Sequence, residues 1–207
     1  MLAANHVGAI DGPLLAVFAP RPVHALTKQE MFAGALGSFL RASGQIPLDR
    51  FRPDPGAIRT CLRVIRDGGA VGIFPEGISH SSGRLEPLRT GAARMALTAA
   101  AEGVEVHLVP VGINLEQKTT FRSRVTVAYG EPFPVGPVTR GAQENGAKSL
   151  THEIATHIRA LLIEELRDER VTMLPLMPGR DVHGSGFSDL DTDNAYFLPA
   201  VEIVSYR

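Results

Sequence analysis

Short apolar runs alternate with longer segments of helical period along most of this chain, and that alternation constrains the fold more than any other feature. The candidate strands are 23–26, 45–48, 70–74, 104–113 and 124–129, and the candidate helices 29–43, 56–67 and 90–102. Strands separated by helices predict an α/β fold: a mixed, largely parallel central sheet with helices layered against it. In the second helix Ile58, Leu62 and Ile65 share one face and Arg59, Arg63 and Arg66 another, as a surface helix requires. The segment 148–170 carries Leu150, Ile154, Ile158, Leu161, Leu162 and Leu166 on one stripe, which predicts a long helix packed on the sheet. Between them, 134–147 is rich in Gly and Pro and reads as a connecting loop.

With 207 residues and 44% hydrophobic composition, the chain can bury one substantial core. We expect a single domain over 1–174 and an irregular or partly disordered tail over 175–207, where prolines and glycines accompany Asp189-Leu190-Asp191-Thr192-Asp193-Asn194. A formal net charge of -1 gives no global pull toward nucleic acid or anionic lipid, so any such attraction must be local. A single cysteine excludes an internal disulfide and fits a reducing, cytoplasmic compartment. The start of the chain lacks a basic region followed by an apolar core, and no stretch approaches the ~20 apolar residues of a spanning helix. Contact with a bilayer is therefore expected to be peripheral, and basic residues around Arg41 to Arg66 are candidates for it.

The chemistry-bearing residues begin at Asn5-His6, with Asp11 following after four residues. A histidine can take a proton from an alcohol near neutral pH, and a nearby carboxylate can fix its tautomer and stabilise the imidazolium. Such a pair suffices for acyl transfer in which the alcohol attacks a thioester directly, without a protein nucleophile. Consistently, no G-x-S-x-G elbow is present, and Cys61 sits among Leu62, Val64 and Ile65 in a helical pattern.

Further blocks follow in a fixed order: Lys28, then Gly44-Gln45-Ile46-Pro47-Leu48-Asp49-Arg50, Phe74-Pro75-Glu76-Gly77, and Val109-Pro110-Val111-Gly112. Together with His6 and Asp11, over residues 5–115, this order resembles the glycerolipid acyltransferases, the PlsC-like enzymes that esterify glycerol-3-phosphate or lysophosphatidate. Ile78-Ser79-His80, and Phe121-Arg122-Ser123-Arg124-Val125 leading to Tyr129-Gly130-Glu131-Pro132, resemble the yeast-type glycerol-3-phosphate and dihydroxyacetone-phosphate branch. The resemblance implies a glycerol-3-phosphate acyltransferase-like fold. It also implies His6 as the base oriented by Asp11, and Lys28 and Arg50, with His80, as phosphate ligands. Glu76, Gly77 and Ser79 then shape the acceptor site, and a backbone N–H near Gly8 or Gly77 would serve the oxyanion. The lysophosphatidate branch usually continues the third block with Thr-Arg, where this chain has Ile78-Ser79. The donor is an acyl thioester of coenzyme A or acyl carrier protein, as co-substrate, and no cofactor, metal or nucleic acid is implied. Because only Met1–Ala4 precede the Asn5-His6 block, where family members commonly carry a strand and often membrane helices, a shortened amino terminus and a weakened sheet are expected there.

Two near-misses are set aside. The Asp189-x-Asp191-x-Asp193 run has Asn194 and Ala200 where a calcium loop needs Gly and Glu. His152 and His157 are five apart, about 140° around a helix, and cannot share a zinc ion. His24 and His107 lie in strand patterns and read as core or rim residues. A catalytically silent lipid-binding relative and a thioesterase remain as alternative functions.

Overall fold

The computed structural model describes residues 1–8, 10–79, 84–115, 125–138, 141–164 and 201–205, with the backbone alone given for 115, 163, 164 and 201–205. Its centre is a sheet in the order β3-β2-β4-β1-β5-β6-β8, with β7 paired to β5. The strands are β1 (Leu2–Ala4), β2 (Val23–Lys28), β3 (Ile46–Leu48), β4 (Ala70–Ile73), β5 (His107–Leu115), β6 (Val125–Tyr129), β7 (Phe133–Pro134) and β8 (Val201–Ser205). From β3 to β5 all neighbours run parallel, while β6 and β7 are antiparallel to β5. This is the mixed, largely parallel α/β sheet that the alternation of periods predicts.

The helices are α1 (Asp11–Phe18), α2 (Gly34–Ala42), α3 (Pro55–Arg66), α4 (Gly91–Ala101) and α5 (Gln143–Glu164). α3, α4 and α5 pack over one face, where Cys61, Leu62, Ile65, the buried alanines of α4, Ile154 and Ile158 form the larger core. Leu14 and Leu15 of α1 meet Val23, Val111, Ile113 and Val127 in a second core. Alanine at the buried positions of α4 lets that helix lie close to its neighbours, at little entropic cost.

Several elements differ from the sequence expectation, each for a local reason. The expected helix over 29–43 is a 3-10 turn, Gln29–Phe32, followed by α2, because Ala33 is extended and Gly34 takes φ 60°. The loop over 134–147 gives way to α5 at Gln143, since helix formers outweigh the lone Gly146. Ile58 is exposed, whereas Ala57 and Cys61 are buried, so the inward face of α3 is rotated from the one expected. Leu2–Ala4 supply β1 between β4 and β5 and are fully covered, so these few residues do furnish a central strand. Within the tail expected to be irregular, Val201–Ser205 pairs in parallel with β6; the Val-Glu-Ile-Val sequence has the β-branched composition an edge strand favours. The acidic run of the tail, and Leu166 of the long stripe, lie outside the described residues.

Candidate active site

Parallel strands have all their carboxyl ends on one side of the sheet, and ligand crevices of α/β folds form there, where the strand order reverses. In this chain β1 lies beside β4 at that point, and the segments leaving β1, β2, β3 and β4 carry His6, Lys28, Arg50 and Phe74-Pro75-Glu76-Gly77. Residues up to 70 apart in sequence thus meet because the sheet is parallel.

His6 and Asp11 form a close pair: His6 Nδ1 lies 2.7 Å from Asp11 Oδ2. The same oxygen accepts from the backbone N–H groups of Val7 at 2.6 Å and Gly8 at 2.9 Å. Asp11 is wholly buried in the first turn of α1, where the helix dipole favours a carboxylate. Its Oδ1 has no hydrogen-bond partner among the described residues. With Nδ1 directed at Asp11, Nε2 is the nitrogen that His6 offers to the cleft it lines. The imidazole stacks on Phe74 at 4.4 Å between ring centroids, which fixes its plane.

Glu76 is buried and acts behind the site. Its Oε1 accepts from the His6 N–H at 2.7 Å and its Oε2 from the Glu86 N–H at 3.1 Å. The carboxylate therefore pins the histidine segment to the segment leading into α4, and it does not line the cleft. Asn5 performs a parallel service: its Nδ2 donates to the Ile113 carbonyl at 2.8 Å and its Oδ1 accepts from the Ile113 N–H at 2.7 Å. Its side chain continues the β1–β5 ladder just where the backbone departs toward His6.

The cleft holds about 270 Å³. Leu26, Leu48, Ile58, Ile73 and Met95 give it an apolar wall, and Lys28, Arg50, Arg52 and Arg89 bring positive charge against the single carboxylate of Asp49. None of these four cations is in an ion pair among the described residues. Asp54 organises the Arg50 segment: it accepts from the Ala57 N–H at 2.9 Å, capping α3, and from the Asp49 N–H at 3.2 Å. Those backbone bonds hold its carboxyl below the usual range.

Of the expected site residues, His6, Asp11, Lys28, Arg50 and Gly77 are brought together, with Glu76 supporting them from behind. Ser79 is exposed and stands off the cleft, and His80 lies outside the described residues. A backbone N–H near Gly8 or Gly77 is expected for the oxyanion, and the amides of the two glycines themselves are engaged. That of Gly8 donates to Asp11, and that of Gly77 to the Phe74 carbonyl at 3.0 Å, closing a turn. Arg89 carries no sequence motif, and Arg52, which the sequence marks only as one of the basic residues from Arg41 to Arg66, joins it in lining the cleft. Gly77 has φ 79°, and a Cβ there would meet Arg89 Nε at 2.9 Å, so the glycine lets the guanidinium lie against the turn. Cys61 is buried in α3 and its thiol is pushed up to about 12 by desolvation, which removes it as a nucleophile. A larger opening of about 540 Å³ lies by α2 and α3, but its charged groups are committed to structure, Arg41 to the Phe32 carbonyl and Asp54 to the α3 cap.

Fold and cleft together define an acyltransferase-type α/β domain. The Acyltransferase family model matches residues 1–114, more than half of the chain, and the chain belongs to that family. The 1-acyl-sn-glycerol-3-phosphate acyltransferase of Bacillus subtilis (strain 168) is 28% identical over 166 residues, 78% of this chain and 80% of that protein. Glycerol-3-phosphate O-acyltransferase 2 of Saccharomyces cerevisiae is 46% identical over 69 residues, 32% of this chain but only 9% of the yeast protein. The crystal structure of the 1-acyl-sn-glycerophosphate (LPA) acyltransferase PlsC from Thermotoga maritima matches with a TM-score of 0.61 at 19% identity. That match covers 81% of this chain and 66% of that one, and it establishes the fold.

Proposed function

We propose that this protein transfers a fatty acyl group from an acyl thioester to a hydroxyl of glycerol-3-phosphate or 1-acyl-glycerol-3-phosphate, a step of phospholipid synthesis. The observation that carries this reading is a buried-carboxylate–histidine pair at 2.7 Å opening on a cleft where four cations face one carboxylate beside an apolar wall. Lys28, Arg50, Arg52 and Arg89 attract the acceptor's phosphate, and the apolar wall accepts acyl chain. Phosphate binding fixes a substrate hydroxyl near His6 Nε2, converting a bimolecular encounter into an oriented one.

In the reaction His6 removes the hydroxyl proton as the oxygen bonds to the thioester carbonyl carbon, and Asp11 stabilises the imidazolium. Collapse of the tetrahedral intermediate breaks the C–S bond and returns the proton to the departing thiol. With the Gly8 and Gly77 amides already engaged, the oxyanion faces the cationic side of the cleft, where Arg89 lies against Gly77. The donor is acyl-coenzyme A or acyl carrier protein, and no further cofactor takes part.

Free-thiol release from palmitoyl-coenzyme A or an acyl carrier protein donor, with and without glycerol-3-phosphate or lysophosphatidate, tests the reading. Acceptor-dependent release that falls about a hundredfold or more in His6→Ala is expected. Release independent of acceptor would make the protein a thioesterase, and none with any donor would make it a silent lipid-binding relative.

A further inference from the structure

The outer face of α3 and α4 carries a charge pattern that neither the packing nor the catalytic reading uses. Both helices are crossovers between parallel strands, so each begins at the carboxyl end of the sheet, beside the cleft, and runs away from it. Ile58 of α3 and Gly91 of α4 line the cleft itself. Beyond them on α3 come Arg59 and Arg63, about 6 and 12 Å along the axis from Pro55, and on α4 comes Arg94, about 5 Å from Gly91. All three are exposed, and none is in an ion pair among the described residues. Arg94 donates to Thr90 Oγ1 within its own helix at 3.2 Å. At the far end the charge is balanced: Arg66 donates to Glu102 at 2.7 Å, joining the two helices, and Asp67 follows Arg66. At the near end Arg52 and Arg89 carry the basic face to the cleft, and Arg84 and Glu86 add one charge of each sign. The remaining acids there are Asp49 and Asp54, which accept from backbone amides, and Asp54 offsets part of the charge of Arg59.

We propose that this face docks an acidic acyl carrier protein, which presents its acyl thioester to the cleft. Such a carrier is a small acidic protein that holds the acyl group on a flexible thiol arm, and its charge complements the arginines of α3 and α4. Shape separates it from coenzyme A. Small ligands bind in concave sites, whereas Arg59, Arg63 and Arg94 line neither of the two openings and lie spread over two helices. Hydrophobicity separates it from a bilayer or a permanent subunit. Among the described residues the outer faces of α3 and α4 expose no large apolar side chain except Ile58, which lines the cleft. A face rich in charge and poor in apolar groups suits a partner that must leave after each transfer. A second copy of the chain on this face would set arginine against arginine. Reach is also met, because the thioester must travel only from the first turns of two helices into a cleft those helices line. The proposal rests on the acyltransferase reading for the cargo the carrier brings, and the surface itself is read from charge and position.

The test is fluorescence anisotropy of a labelled holo-acyl carrier protein, which bears no acyl group, titrated with the full chain as the unaltered protein, Arg63→Glu and Arg94→Glu. Turnover of palmitoyl-acyl carrier protein and of palmitoyl-coenzyme A is measured beside it. We expect binding that weakens with salt and falls about tenfold in each variant, since a reversal removes an attraction and adds a repulsion. The kcat/KM for the carrier-bound donor should fall in step, while that for palmitoyl-coenzyme A stays within about twofold. Unchanged melting temperatures would show both variants folded. Equal binding by all three proteins would overturn the proposal, as would no binding at low salt. Equal loss of turnover with both donors would overturn it by assigning these arginines to the coenzyme or to the reaction. A protein that binds the carrier through Arg63 and Arg94 yet turns over neither donor sinks the reaction and leaves the surface. One that turns over both donors, indifferent to either reversal, leaves the reaction and sinks the surface.

Discussion

At the scale of single residues, the site depends on one oxygen atom. Asp11 Oδ2 receives the His6 ring and the Val7 and Gly8 amides, so it both orients the imidazole and shapes the turn that carries it. Replacing Asp11 with Asn separates these duties: the amide oxygen can still accept the backbone bonds, but the charge that favours the imidazolium is gone. The expected result for Asp11→Asn is a cooperative, near-native melt with kcat lowered between about a hundredfold and ten-thousandfold and KM for acceptor little changed. Steady-state kinetics beside thermal melting would read both. A raised KM at unaltered kcat would instead assign Asp11 to substrate binding.

At the scale of elements, the histidine segment is held from both sides by side chains that extend the sheet. Asn5 spans to Ile113 by donating and accepting across the gap beyond β1, and both bonds are buried. Asn5→Ala leaves the Ile113 amide and carbonyl unpaired, at a cost of about 2–3 kcal/mol that denaturant unfolding would measure. A loss below about half a kcal/mol would mean that the strand ladder holds without it. Asp54 plays the corresponding part for the β3–α3 connection, joining the Asp49 amide to the α3 cap. Asp54→Ala is expected to destabilise by about 1 kcal/mol and, by freeing the Arg50 segment, to raise KM for the phosphate acceptor more than it lowers kcat. Because backbone bonds depress the Asp54 pKa, its contribution is present above the ordinary carboxyl pKa and fades as pH falls through the lowered one.

At the scale of the whole molecule, ionisation of the core limits stability on the alkaline side. Burial pushes the Cys61 thiol up to about 12 from 9.0 and the Tyr129 hydroxyl up to about 12 from 10.0. Between these values the unfolded chain has lost protons that the folded protein retains, so unfolding free energy decreases as pH rises. Cys61 alone implies a slope near 1.4 kcal/mol per pH unit above about pH 9, over and above other groups. Urea unfolding from pH 8 to 10.5 should therefore show a shallower decline in Cys61→Ala than in the unaltered protein, and parallel curves would refute this. Among the described residues no helix is long and apolar enough to cross a membrane.

The sequence by itself determined the layered α/β class, most of the strands and the identity of the pair His6 and Asp11. Those rest on periodicity and on residues close together in the chain, and local spacing is legible without coordinates. It could not show α1, whose eight residues include Gly12 and Pro13 and lack a strong apolar stripe, nor the split of the helix expected over 29–43 at Ala33 and Gly34. Tertiary structure alone decided that Glu76 clamps two backbone segments from behind the cleft and that Arg89 lies against Gly77. It also turned Ile58 outward to line the cleft. Each of these follows from parallel pairing of strands distant in sequence, which converges the ends of β1 to β4 on one opening, and no local pattern encodes that convergence.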